Sequence, residues 1–384
     1  MHPACAPTRT RATHLELADV VRAHGESFAK GRVLRRCELA TLRAIERCRT
    51  AVLGGHLDVC TECGYEKPSY NSCRNRHCPK CQALAQARWV DKRVKRILPV
   101  HYFHVVFTVP AELRDVARRH REAVFDVLFA SASQTLLALG HDPKRLGAEL
   151  GITMVLHTWT RDLRFHPHVH AIVTGGGLSE DGSRWARAGE TFLFPVRVMG
   201  ELFRGKMIAA LERAHKRGDI DLSAVDVPAL YKTRWVVYAK RPFGGPEQVL
   251  RYLGRYTHRV GISNSRLVSM NERGVTFRTK TGTATVEAEA FLARFLQHVL
   301  PPRFVKIRHY GLHSASHATT RLALAKQRLA PVPTDASPLP THDTRALIER
   351  LTGVDVRICP ACGKPTLVRQ ALPEQSRGPP ARAA

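Results

Sequence analysis

RFHPHVHAIVTGGG, residues 164–177, is the stretch on which the reading of this chain turns. Its middle alternates, with His168 and His170 flanking Val169, and His166 extends the pattern. Side chains of a β-strand point to opposite faces in turn, so residues two apart share a face. Val169 can then enter a core while His168 and His170 present their imidazoles side by side. Pro167 stands at the start of the strand, where its missing N–H is tolerated. Neutral imidazole is the commonest side-chain ligand for a divalent ion. Two histidines leave several coordination positions open, as a catalytic metal requires. A chance pair on a strand edge is the competing explanation in a chain with 20 histidines.

Outward from this strand the chain alternates between β-rich and helical segments. HYFHVVFTV (101–109) and ITMVLHTW (152–159) read as strands, with helical sequence at 111–139 between them. A basic helix follows at 198–217, a strand at YKTRWVVYAK (231–240) and a short helix at 246–258. SRLVSMNERGVTFRTK (265–280) reads as a hairpin turning at Asn271–Gly274. A helix at 286–299 and a strand at FVKIRHY (304–310) close the region. Toward the N-terminus, residues 14–50 and 82–98 are helical. Residues 54–81 lose that period and gain Cys, Gly, His and Pro, as expected where a metal replaces a core. Beyond about residue 330 the chain is Pro-rich and reads as a linker, then a short helix at 343–351 and a tail.

The short helix carries EQVLRYLGRYTHRVGIS (247–263). Tyr252 and Tyr256 are one helical turn apart and share a face. Aromatic pairs at this spacing are usually core, but here the neighbours are Arg251, Arg255, His258 and Arg259. Basic side chains beside two hydroxyls suit a site that holds phosphates near a nucleophile.

The N-terminal region contains CTECGYEKPSYNSCRNRHCPKCQ (60–82). Cys60 and Cys63 form one CxxC, Cys78 and Cys81 another, a spacing that suits one tetrahedral zinc of structural type with all positions filled by protein. Cys73 and His77 lie between the pairs as alternative ligands, and Arg74, Arg76 and Lys80 surround the knuckle. Cys359 and Cys362 form a third CxxC, half a site with no evident partner. Six of the ten cysteines sit in such pairs, which favours metal chemistry in a reducing compartment over disulfides.

Lys and Arg number 60 against 33 Asp and Glu, a net charge of +27 spread along the chain. Such an excess calls for a polyanion, and nucleic acid is the usual partner. No apolar run approaches the ~18–20 residues of a membrane span, and the N-terminus does not read as a signal peptide. The expected setting is therefore cytoplasmic and DNA-associated, without a membrane. Residues 200–207 (GELFRGKM) nearly match a phosphate-binding loop but end in Met207 where a magnesium-binding hydroxyl belongs, so nucleotide binding is set aside.

A His–x–His strand followed by a paired-tyrosine basic helix suggests metal-assisted attack of tyrosine on a DNA phosphodiester. The pieces CTECG and NRHCPKCQ, HVVFTVP (104–110), HPHVHAIVTGGG (166–177) and RYLGRYTHRVGIS (251–263) occur in the order seen in a known group. The chain resembles the HUH endonuclease superfamily, and within it the two-tyrosine rolling-circle transposases of the insertion-sequence ninety-one family, relatives of Helitrons. The resemblance spans about residues 30 to 315. It implies an α+β fold, with a palm of antiparallel strands and flanking helices after a small helical zinc-binding domain. It implies His168 and His170 as ligands of Mg²⁺ or Mn²⁺, and Tyr252 and Tyr256 as nucleophiles forming 5′-phosphotyrosine links with single-stranded DNA. A third ligand is fixed by no motif; Gln248 shares a face with Tyr252, and His258 and His166 rival it.

The expected domains are a zinc-binding DNA-recognition unit (1–98), a catalytic unit (99–315) and a linker and tail (316–384). The expected partners are the single-stranded ends of the protein's own mobile element and its target DNA, and the oligomeric state is left open. Two other functions fit parts of the sequence. A plasmid or phage replication initiator would share the nicking chemistry, and a non-enzymatic zinc-finger DNA binder would explain the charge and cysteines while leaving the histidines and tyrosines unused.

Overall fold

The structure, a computed structural model, describes residues 14–94, 96–243, 248–249, 252, 254, 261–329 and 344–372. The expected α+β architecture is present. Its centre is an antiparallel sheet of strands β3 (Tyr102–Thr108), β4 (Glu149–Trp159), β5 (Phe165–Leu178), β7 (Val237–Phe243) and β11 (Ile307–Gly311) in the order β11-β4-β5-β3-β7. The short β6 (Trp185–Arg187) pairs with the end of β5.

Period-two alternation gives this sheet two unlike faces. Phe103, Val105 and Phe107 of β3, Val169, Ala171 and Val173 of β5, and Ile152, Met154 and Leu156 of β4 all join one core. Helices α5 (Arg121–His141) and α6 (Val196–Lys216) cover that face. Each fully buried aliphatic or aromatic side chain there contributes roughly 1.5–3 kcal/mol, so the register of the strands is firmly set. A one-residue slip would turn the whole apolar set outward. The opposite face therefore receives the other parity: His104 from β3, His168 and His170 from β5, and His157 from β4. Helix α5 is long and apolar enough by composition to cross a membrane, a property that a count of unbroken apolar runs misses. Its residues Val124, Phe125, Leu128, Phe129, Ala132 and Leu136 are buried in the sheet's core.

The unit boundaries drawn from the sequence are crossed by packing. Helices α1 (Leu17–Lys30) and α2 (Arg36–Arg47) share a core with the sheet β8 (Leu267–Asn271), β9 (Gly274–Arg278) and β10 (Thr283–Val286) and with α8 (Ala288–Leu296). Arg32 and Glu289 form an ion pair at 2.9 Å across this contact. The N-terminal helices thus belong with a subdomain built from residues 262–299, which the linear reading placed in the catalytic unit. The hairpin at Asn271–Gly274 forms where expected, with those two residues paired.

Three local expectations are corrected. The stretch 231–240 divides into the end of α7 (Val227–Lys232) and the start of β7, because Asp226 caps the helix by accepting from Ala229 N. The region 54–81 includes a hairpin of β1 (Gly55–Cys60) and β2 (Glu66–Tyr70). The tail is not merely a linker: α10 (Thr344–Thr352) lies against α3 (Gln82–Val94), and β12 (Leu367–Ala371) pairs with β1. Helix α9 (Arg321–Arg328) joins a small cluster with Leu98, Leu178 and Leu312.

Candidate active site and metal centres

His157, His168 and His170 converge on the face of the central sheet opposite α5 and α6, with one ligand nitrogen from each within 4.8 Å of the others. Sheet register brings them together. His157 is directly opposite His168 across the β4–β5 pair, and His168 and His170 share a face of β5. His168 Nδ1 lies 2.7 Å from the carbonyl of His166. That carbonyl accepts a hydrogen bond from Nδ1–H, which puts the lone pair of His168 on Nε2, the tautomer that a metal needs. Burial holds the His168 pKa down at about 4, so the ring is neutral at physiological pH.

His104 completes the constellation from β3. Its Nε2 is 2.8 Å from His170 Nδ1 and 2.8 Å from the hydroxyl of Tyr252. A ring nitrogen carries either one proton or one lone pair, so His104 Nε2 can accept from Tyr252 O–H or from His170 Nδ1–H, one at a time, and the hydroxyl also lies 3.3 Å from His104 Nδ1. Burial, and secondarily Lys240, lower the His104 pKa to about 3, so this ring too is neutral. Lys240 is the residue opposite His104 on the edge strand β7, where it supplies positive charge at the exposed rim of the site.

Tyr252 packs on a small cluster of Tyr102, Ile172 and Val249, with Trp89 of α3 alongside. Gly254, one position beyond the next residue, lies against Gln86 and Val90 of the same helix α3. The tyrosine is therefore fixed between the central sheet and a helix that starts one residue after Cys81. Tyr256, Arg251, Arg255, His258 and Arg259 lie outside the described residues. Gln248 is exposed at the start of this helical segment. His166 stands beside Arg114, 3.5 Å away, rather than in the three-histidine group. Of the sequence-derived residues, His168, His170 and Tyr252 are thus brought together. His157 and His104 were missed. The available signal was a single histidine in each of two otherwise apolar strands.

The cysteines form two groups of four, and the sequence pairing is corrected. Cys78 and Cys81 join Cys73 and Cys48, while Cys60 and Cys63 join Cys359 and Cys362. Cys60 and Cys63 lie at the tip of the β1–β2 hairpin, where Cys60 pairs toward β12, while Cys78 and Cys81 follow its base and meet the C-terminal end of α2 at Cys48. In the first group, Cys48–Cys81, Cys73–Cys81 and Cys48–Cys78 are each separated by 3.6 Å between sulfurs. Zinc with Zn–S of about 2.3 Å in a tetrahedron spaces its sulfurs by roughly 3.8 Å, whereas a disulfide would need about 2.05 Å. The donor set fits zinc. His77 takes no part: burial lowers its pKa to about 3, and its Nε2 accepts from Leu300 N at 3.3 Å.

A groove of about 800 Å³ runs beside the first cysteine group, lined by Arg49, Arg74, Arg76, Lys80, Arg88 and Lys306 among others. Arg76 donates to the carbonyl of Phe304 at 2.8 Å and ties the knuckle to the segment before β11.

Comparison with known proteins finds a transposase family and a transposase zinc-binding domain. Residues 151–321 match a family described as "putative transposase", and residues 20–109 match a transposase zinc-binding domain. The putative transposase y4qJ of Sinorhizobium fredii is 41% identical over 386 residues, covering 95% of this chain and 97% of that protein. The transposase for insertion sequence element IS801 of Pseudomonas savastanoi pv. phaseolicola is 29% identical, covering 72% of this chain and 70% of that protein. No solved structure matches.

Proposed function

Because the chain belongs to the insertion-sequence ninety-one family of transposases, with an N-terminal zinc-binding domain, we propose that it nicks and rejoins single-stranded DNA through tyrosine in rolling-circle-like transposition. The observation that carries this reading is the reach of the Tyr252 hydroxyl to His104, one hydrogen bond from the three-histidine group.

His157, His168 and His170 would hold Mg²⁺ or Mn²⁺, which when bound supplies Lewis-acid polarisation of the scissile phosphate and stabilises the leaving oxygen. The remaining steps belong to the chain. Tyr252 Oη attacks phosphorus, the P–O3′ bond breaks, and the 5′ phosphate stays esterified to the tyrosine while the 3′ oxygen leaves with the bonding pair and takes a proton from solvent to become a hydroxyl. The phenolic proton goes to His104 Nε2, the nearest base. Burial makes His104 a weak base at rest, and the negative charge of a bound phosphodiester raises its basicity when substrate arrives. Attack by a second 3′ hydroxyl on the phosphotyrosine reverses the chemistry and joins strands without ATP, because the ester bond preserves the energy of the broken one. Tyr256 is proposed to serve a second nick. Lys240 and the exposed Tyr238, which occupy alternate positions on the β7 edge, suit a phosphate and a stacked base of the incoming strand.

The cluster of Cys48, Cys73, Cys78 and Cys81 is proposed as the structural zinc of the N-terminal domain, and the neighbouring basic groove as a path for DNA. The deciding experiment incubates the protein with labelled single-stranded DNA from its element's ends and Mn²⁺, followed by denaturing electrophoresis. The expected result is a covalent protein–DNA adduct that is lost in the Tyr252→Phe/Tyr256→Phe double variant. Wild-type protein that binds these ends yet gives neither nick nor adduct overturns the tyrosine mechanism.

A further inference from the structure

The second cysteine group assembles from opposite ends of the chain. Cys60 Sγ is 3.7 Å from Cys362 Sγ, and Cys63 Sγ is 3.6 Å from Cys359 Sγ. All four sulfurs lie within 4.8 Å of one another. These separations again match a tetrahedral thiolate site and exclude disulfides.

The two halves are built alike. Each is a CxxCG turn, CTECG at 60–64 and CPACG at 359–363. In the first, Cys60 N donates to Tyr65 O at 2.8 Å and Gly64 N to Cys60 O at 3.1 Å. In the second, Cys359 N donates to Lys364 O at 2.8 Å and Gly363 N to Cys359 O at 2.9 Å. Gly64 and Gly363 adopt φ of 69° and 74°, the left-handed conformation that glycine enters without steric cost. Two matching turns that each direct a pair of sulfurs at one point are a repeated ligand module.

The surrounding sheet needs such a module. Strands β12-β1-β2 form a three-stranded sheet. Among the described residues, none of its strands contributes to a hydrophobic cluster, and Val368 is exposed. Besides the β1–β12 ladder and the contact of α10 with α3, the ends are linked by polar contacts: Lys364 with Glu62 at 2.8 Å, Arg369 with Asp58 at 3.4 Å, and Thr61 N donating to Thr366 O at 3.2 Å. Exposed ion pairs contribute little, and so small a sheet without a core is marginal in water.

We propose that Cys60, Cys63, Cys359 and Cys362 bind a second zinc ion, which clasps the C-terminal segment to the N-terminal hairpin. The matched zinc-binding domain ends at residue 109, so half of this site lies outside it. Binding displaces the thiol protons and converts four loosely tethered side chains into one cross-link between residues some three hundred positions apart. The clasp also secures α10 against α3, the helix that carries Trp89 and backs Tyr252. Each group has two buried cysteines, but Cys63 and Cys362 are exposed where Cys73 and Cys81 are half-buried, so the second ion is the one that a chelator reaches first.

The test is metal analysis of the full-length protein, purified without added chelator. Two zinc ions per chain are expected in the wild type and one in the Cys359→Ser/Cys362→Ser double variant. A companion measurement needs no variant: cobalt-substituted wild type should show thiolate-to-cobalt absorption for two tetrahedral S₄ sites, and a chelator should remove half of it in a fast phase. One zinc in both wild type and variant, or a cobalt signal that saturates at one equivalent, overturns the proposal. Neither readout depends on nicking, so this inference can fail while the transposase mechanism stands, or the reverse.

Discussion

Replacing His157 tests the metal centre most directly. The side chain is 3% exposed, stacks on Trp159 at 4.7 Å between ring centroids and lies 4.5 Å from His170 by the same measure. If His157 is a ligand, its removal costs at least what loss of a supporting residue costs a metal site, about 10- to 100-fold in affinity, or roughly 1.4–2.7 kcal/mol. His157→Ala would also open a cavity in a packed sheet, with a stability loss of about 2 kcal/mol by analogy with other buried truncations. His157→Gln largely fills that space and separates the two effects. The assay is adduct formation against Mn²⁺ concentration, with thermal melting as the folding control. For His157→Gln the half-saturating Mn²⁺ concentration should rise 10- to 100-fold, with partial recovery at saturation. A folded His157→Gln protein with the wild-type Mn²⁺ dependence would refute the assignment and return the third ligand to Gln248 or His258.

Two further predictions concern pH and salt. His298 and His313 are buried, and burial lowers their pKa values to about 3 and about 4. Each binds its proton more readily in the unfolded chain, near pH 6.5, so their stability contribution is complete above that pH and declines as pH falls toward the folded values. At pH 5.5 the two together cost about 3 kcal/mol. The melting temperature should therefore fall between pH 7.5 and 5.5, with a shallower fall in His298→Gln; identical slopes would contradict it. In the basic groove, Arg74→Ala/Arg88→Ala should lower the salt dependence of single-stranded DNA binding by about 0.7 per cation in the log–log slope. An unchanged slope in a fluorescence-anisotropy titration would place the DNA elsewhere.

The sheet and its two histidines were legible because alternation is local: His168–Val169–His170 carries its own geometry wherever the strand is placed. His104 and His157 were not, since each meets the pair only through strand register, a long-range property of sheet order. Each sits alone in an apolar run, and a lone histidine on a core strand is equally read as a satisfied interior residue. The cysteines failed for a related reason. Spacing joined Cys60 and Cys63 to the nearest CxxC, but those two lie at the tip of the β1–β2 hairpin and the other pair follows its base, so the pairs meet different partners. Cys48 has no motif around it at all. The repeat CTECG and CPACG was the one available clue to the second group. The N-terminal helices were identified correctly as helices, yet their partner, the subdomain around Phe277 and Phe291, lies over two hundred residues away and leaves no mark in local periodicity.

What the fold adds is a physical path between the two cysteine groups and the histidine face of the central sheet. Helix α3 begins at Gln82, immediately after Cys81 of the first group, so the position of its first turn is set by that group. Its middle presents Gln86, Trp89 and Val90 to Gly254 and Tyr252. A Cβ at position 254 would come within 3.1 Å of Gln86 and 3.2 Å of Val90, so glycine there lets the tyrosine segment approach the helix closely. On its other flank α3 meets α10, which the second cysteine group ties down from the C-terminal end. The hydroxyl that must lie within hydrogen-bonding distance of His104 is thus backed by a helix constrained from two sides. A shift of about 1 Å in such backing is enough to cost a reaction on the order of 10²-fold. Under the proposed mechanism the zinc-binding domain therefore takes part in aiming Tyr252, as well as offering a surface for DNA.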